Sequence, residues 1–147
     1  MDFDGFASRL GIKEGSRVWL LEAPVGFEHR LDPLPRGAGV TTVAPRGQQD
    51  VIVLFAMSRA VLGELFPRAA HHLAPRGGLW VAWPRKSSGV FTDLTEEQIR
   101  SVGLAAGLVD NKIITVDDFW AGLRFTFKER DRLVLPHGAE LGAPPGA

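Results

Sequence analysis

The sequence predicts one doubly wound α/β domain with a mostly parallel sheet, and three features carry that prediction. The first is a set of continuous apolar runs: Val18-Trp19-Leu20-Leu21, Val51-Ile52-Val53-Leu54-Phe55-Ala56 and Leu79-Trp80-Val81-Ala82-Trp83. Runs without alternation suit strands covered on both faces. The second is the helical spacing of apolar residues between those runs. The third is a period-two segment, Leu123, Phe125 and Phe127 alternating with Arg124, Thr126 and Lys128, which closes the pattern as half of a hairpin.

Each element has its own justification. Phe3, Phe6, Ala7 and Leu10 fall at helical spacing and Gly11 follows as a stop, so a short helix is expected over 3–10. Val40-Thr41-Thr42-Val43 is a weaker strand, suited to an edge. Leu62, Leu65, Phe66, Ala69 and Leu73 form one apolar stripe with Ser58 placed to cap it, and Pro67 predicts a kink or break after Phe66. Thr95 and Gln98 have capping-box spacing, with Leu94 and Ile99 as the hydrophobic staple, so a helix is expected from Glu96 to about Ala106. Ile113, Ile114 and Val116 supply the other hairpin strand, and the loop between holds Asp117, Asp118, Trp120 and Gly122. The Gly-, Pro- and Ala-rich segment 131–147 reads as a disordered tail behind a domain spanning 1–130.

Composition narrows the function classes. The chain has 147 residues, enough for one hydrophobic core. Lys plus Arg and Asp plus Glu both number 17, so the basic excess of a phosphate-tracking nucleic-acid binder is missing. Cysteine is absent, which removes disulfides, thiolate catalysis and cysteine zinc sites. No apolar run reaches bilayer length, and the acidic start Met1-Asp2-Phe3-Asp4-Gly5 does not read as a secretory signal. The expectation is a cytoplasmic protein with no membrane or nucleic-acid partner.

Leu10-Gly11-Ile12-Lys13-Glu14-Gly15-Ser16-Arg17-Val18-Trp19-Leu20-Leu21 resembles the entry into the first strand of S-adenosylmethionine-dependent methyltransferases. Gln49-Asp50-Val51-Ile52-Val53 looks like their fourth strand, and Leu73-Ala74-Pro75-Arg76-Gly77-Gly78-Leu79-Trp80-Val81 like the turn into their fifth. The resemblance covers roughly residues 3–130. It implies a Rossmann-like, six-stranded sheet ordered 2-1-3-4-6-5, closed by an antiparallel hairpin. More narrowly, residues 80–89 with Thr92-Asp93-Leu94-Thr95 resemble a family of short bacterial proteins classed as a domain of unknown function, which brings no activity with it.

In such a sheet, ligands bind beyond the carboxyl ends of the strands, where strand order reverses. The methyltransferase pattern has an acid and then closely spaced glycines after the first strand. Here Glu22 and Gly26 keep two places, Pro24 stands at a glycine position, and Glu28 at another. Phe27 is the candidate plug of the crevice. The acid expected after the second strand is an arginine, in Val43-Ala44-Pro45-Arg46, and a helix–strand unit before Asp50 is missing. These departures read as a degenerate cofactor loop, so no cofactor is expected and S-adenosylmethionine is argued against.

A third segment offers binding chemistry. Trp83, Arg85, Lys86, Ser87, Ser88 and Gly89 follow a buried strand, and Ser58 with Arg59 open the helix across the same crevice. Cations, hydroxyls and a helix start in one place suit a phosphate or carboxylate; ordinary turn chemistry explains the same residues. His71 and His72 are adjacent and diverge, and Asp117 and Asp118 show no acid–base partner, so neither a metal nor a catalytic residue is expected. The reading is a non-catalytic methyltransferase-like domain that binds a small anionic ligand or a protein partner. An active methyltransferase with an altered cofactor site and a scaffold with a filled crevice are the alternatives.

Overall fold

The structure is a computed structural model and describes residues 5–134. Helix α1 (Gly5–Arg9) leads into β1 (Arg17–Leu21), and a 3-10 turn, Phe27–Leu31, precedes β2 (Gly39–Thr41). Then follow β3 (Gln49–Phe55), α2 (Arg59–His71), β4 (Leu73–Pro84), α3 (Glu96–Ala105), β5 (Leu108–Thr115), β6 (Trp120–Phe127) and α4 (Glu129–Val134). The six strands form one sheet ordered β2-β1-β3-β4-β6-β5. The pairs β1–β2, β1–β3 and β3–β4 are parallel, whereas β6 runs antiparallel to both β4 and β5. This is the expected α/β sheet.

The apolar runs explain the layering. Alternate residues of each central strand enter opposite cores. Trp19, Ile52, Leu54, Leu79 and Val81 pack under α2 and α3, against Leu62, Phe66 and Ile99. Val18, Leu20, Val51, Val53 and Trp80 face the other way, onto α1 and the Phe27–Leu31 turn. That second layer is thin, and aromatic rings compensate for the missing helix. Phe27 meets Phe6 and Phe55 edge-on at 5.8 and 4.8 Å, and Phe55 meets Trp120 at 5.1 Å. Edge-to-face contacts at such spacing add to simple burial.

Local expectations meet three corrections. Helix α2 runs through Pro67 without breaking. Pro67 and Gly63 both lie on the exposed face, so water can satisfy the Gly63 carbonyl that loses its N–H partner. β4 is longer than the apolar run, because Leu73 already pairs with Gln49; the pairing then slips, and Val51 aligns with Gly78. The boundary drawn at residue 130 falls inside α4; the remainder of the expected tail, like Phe3 and Asp4 of the expected first helix, lies outside the described residues. The capping box of α3 is present, with Thr95 Oγ1 accepting from Gln98 N and Gln98 Oε1 accepting from Thr95 N.

Candidate functional site

The parallel strands end on one side of the sheet, so four segments converge there: Glu22–Phe27, Ala56–Arg59, Arg85–Thr95 and Asp117–Trp120. Among the described residues, Glu22 is the one non-glycine with positive φ, at 59°. A side chain in the left-handed region costs about 1 kcal/mol, and the Glu22 carboxylate is exposed where β1 stops. Strain of this kind collects at functional sites.

The loop beyond it is better formed than its composition indicates. Phe27 N donates to Pro24 O at 3.0 Å, closing a turn in which Gly26 supplies φ 83°. Pro24 contributes only its carbonyl to that turn, so its missing N–H and fixed φ obstruct nothing. Nothing lies within 4 Å of a Cβ built at Gly26. Phe27 is 2% exposed and stacked between Phe6 and Phe55, which places its ring in the second core. The end of β2 offers no carboxylate, as the sequence indicated.

At the end of β4 lies a cleft of about 860 Å³, lined among others by Trp83, Lys86, Phe91, Glu96, Glu97 and Ile113. Trp83 is mainly a core residue, 7% exposed. Arg85 is held by structure: its N–H donates to Phe119 O at 2.7 Å and its guanidinium to Asp117 O at 3.1 Å. Lys86–Ser88 forms a 3-10 turn ended by Gly89 at φ 80°. Ser88 Oγ accepts from Val90 N. Ser87 is exposed.

Ser58 and Arg59 are not brought to this cleft. Ser58 Oγ accepts from Val61 N at 3.2 Å, and the Asp93 carboxylate accepts from Arg59 N at 2.8 Å. The start of α2 therefore already holds an anion of the chain's own. Arg59 instead lines a separate cleft of about 400 Å³ between α2 and α3. Thr92 Oγ1 donates to Met57 O at 2.8 Å, tying the same loop to the end of β3.

Asp117, for which no acid–base partner was expected, is held by structural partners. Its Oδ1 accepts from Phe119 N and Trp120 N, and its Oδ2 from Arg30 at 2.7 Å. Burial works to raise its pKa, but the Arg30 and backbone donors outweigh it and hold the carboxyl below 3.8. Asp117 thus joins the hairpin loop, the 3-10 turn after β1 and, through its carbonyl, Arg85. The Asp-Asp-Phe-Trp order is a legible turn signal; the partner Arg30, distant in sequence, is not. Among the described residues no cluster of acids and histidines could hold a metal, and no helix is long and apolar enough to cross a membrane.

A sheet of this order, with helices on both faces and a cleft beyond the parallel strand ends, defines a Rossmann-like domain of the methyltransferase type. No family model matches the sequence, and no curated protein matches it. Solved structures do match. A DhpI–SAH complex superposes with a TM-score of 0.57 at 10% identity, over 81% of this chain and 79% of that one. A ribosomal protein L11 methylase from Lactobacillus delbrueckii subsp. bulgaricus gives 0.53 at 13% identity, over 84% and 75%. The magnesium protoporphyrin IX methyltransferase of Synechocystis, with bound SAM, gives 0.53 at 14% identity, over 86% and 78%. At such identity the likeness is one of fold. These neighbours nevertheless overturn the expectation against S-adenosylmethionine, because structures of this fold carry SAM or SAH. The physical reason lies in the loop after β1, where Pro24 forms part of a regular turn and Phe27 belongs to the core.

Proposed function

We propose that this chain is a methyltransferase-like domain that binds S-adenosylmethionine or its product S-adenosylhomocysteine beyond β1 and β3, and a second ligand in the cleft beyond β4. The observation that carries the reading is Glu22. It is an exposed carboxylate in a left-handed conformation at the end of the first strand, followed by the open turn at Gly26. Glu22 would accept hydrogen bonds from the cofactor, and the bare backbone of Gly26 would allow its close approach. When bound, S-adenosylmethionine supplies an electrophilic methyl group. With no carboxylate after β2, the first-strand loop has to provide most of the polar recognition.

The cleft's lining suits a ligand with an apolar body and one anionic group. Trp83, Phe91 and Ile113 offer apolar contact, while Lys86 is exposed and has no ion-pair partner among the described residues. Glu97 and Glu96, the latter paired with Arg100 at 2.6 Å, line the same cleft, which disfavours a multiply charged anion. Trp83, Lys86 and Gly89 are the residues we assign to this ligand, with Arg85, Ser87 and Ser88 shaping the loop. No residue of the cleft is paired for acid–base chemistry, so the domain's contribution is binding and orientation.

Calorimetric titration with S-adenosylmethionine and S-adenosylhomocysteine tests the reading. The expected dissociation constant is micromolar, about −8 kcal/mol, and Glu22→Ala should weaken it about tenfold, or ~1.4 kcal/mol. Absence of binding heat with both compounds would refute it.

A further inference from the structure

The opposite end of the sheet holds a feature that the site above does not use. Arg124 leaves β6 directly across from Trp80 on β4, and its guanidinium lies over Gly78. A Cβ at Gly78 would collide with Arg124 Nε and Cζ, and one at Gly77 would come 2.7 Å from Asp50 O. Gly78 therefore leaves bare backbone for the arginine to lie on, while Gly77 lets the neighbouring β3 backbone approach closely. The slip in pairing between β3 and β4 carries the exposed Arg76 to the same place. Together with Lys13 and Ser16 from the turn before β1, these residues line a cleft of about 300 Å³.

The charges around Arg124 are mostly its own sign. Lys112 is its cross-strand partner. Burial, and then the Arg132 cation, lower its pKa. Among the described residues its one side-chain hydrogen bond runs from Nη1 to the neutral Asn111 Oδ1 at 3.3 Å, and it makes no ion pair. Asp50 and Glu14 also line the cleft; the Asp50 carboxylate accepts from Arg17 N. The Ser16 Oγ, 7% exposed as a residue, accepts from Lys13 N, and its hydroxyl proton has no acceptor among the described residues. A half-buried guanidinium without a counter-ion is costly unless an anion completes it.

We infer that the cleft between Lys13, Arg76 and Arg124 is a binding site for a phosphate-type oxyanion, at the amino ends of the strands and separate from the cofactor end. Two guanidinium groups and an ammonium can each donate to phosphate oxygens, with the Ser16 hydroxyl beneath them.

Nuclear magnetic resonance titration with inorganic phosphate tests this. Amides of residues 13–16 and 76–78 should shift with a dissociation constant of about 1 mM. Arg124→Gln and Arg76→Gln should each raise it about tenfold, while Lys86→Gln in the far cleft leaves it unchanged. Arg76 is exposed, so its variant keeps the fold if Arg124→Gln does not. A parallel titration with phosphoserine separates free phosphate from phosphate on a carrier, tighter binding of the ester assigning the carrier. Silence of the wild-type spectrum at about 10 mM phosphate, or binding by Arg76→Gln indistinguishable from wild type, would overturn the inference. Titration of Arg76→Gln with S-adenosylhomocysteine keeps this result independent of the cofactor reading, which requires that binding to be unaltered.

Discussion

Gly103 shows how a single atom can set the distance between two elements. It sits on α3 facing β6, and a Cβ there would collide with the ring edge of Phe125 at Cδ1, Cε1 and Cζ. That ring also packs edge-on against Phe66 at 5.7 Å, so it has no room to retreat. Alanine is the better helix former by about 1 kcal/mol, yet overpacking costs about 1–3 kcal/mol. Gly103→Ala should therefore lower stability by about 1 kcal/mol or more, read as a drop in the urea midpoint; an increase would mean that α3 moves freely over the sheet. Glu22 presents the converse case. Glu22→Gly relieves the left-handed strain and should stabilise the fold by about 1 kcal/mol while weakening the proposed binding of S-adenosylmethionine. Both effects are measurable on one purified variant.

At the scale of elements, the carboxyl ends of the strands are tied together by Asp117, which links the β5–β6 turn, Arg30 and Arg85. Asp117→Ala should cost about 1–2 kcal/mol at neutral pH, since it removes the acceptor of two backbone N–H groups and an ion pair. The folded pKa is depressed, so this stabilisation is present above the unfolded value of 3.8 and fades as pH falls through the folded one. Denaturation of wild type and variant should converge below about pH 4, and a constant gap down to pH 2 would refute the assignment. Asp110 behaves in the same sense, its carboxyl lowered chiefly by the Arg100 hydrogen bond. The capping box of α3 was fully legible in Thr95 and Gln98, because both partners are local. Asp93 at the start of α2 was not, because its partner Arg59 is 34 residues away.

For the molecule as a whole, the two cores share one sheet, so they should unfold together. Trp80 fastens the second core to that sheet: its ring lies in that core, and its Nε1 donates to Leu10 O at 3.0 Å just after α1. Trp80→Phe would leave that carbonyl without its buried partner, and should cost about 1–3 kcal/mol in a single transition followed by both fluorescence and circular dichroism. Two separated transitions would show that the thin α1 layer melts by itself. A ligand held beyond β1 should raise the midpoint of the same transition in proportion to the logarithm of its concentration.

The sequence by itself determined the sheet. Continuous apolar runs require burial on both faces and the closing alternation requires a hairpin, while the order of the strands came from the resemblance to methyltransferases and is the order found. It also located the loops at the strand ends, since these must follow the runs. Only the tertiary structure decided what those loops do. Whether Pro24 obstructs or merely closes a turn depends on a hydrogen bond from Phe27, and whether Phe27 plugs a crevice or fills a core depends on Phe6 and Phe55, far away in the chain. The same holds for Arg85 and Arg124, identical in sequence terms. One donates to the Asp117 carbonyl in the hairpin turn, and the other lies over Gly78 among cations, because charge and hydrogen-bond partners are assigned by contacts that no local pattern encodes.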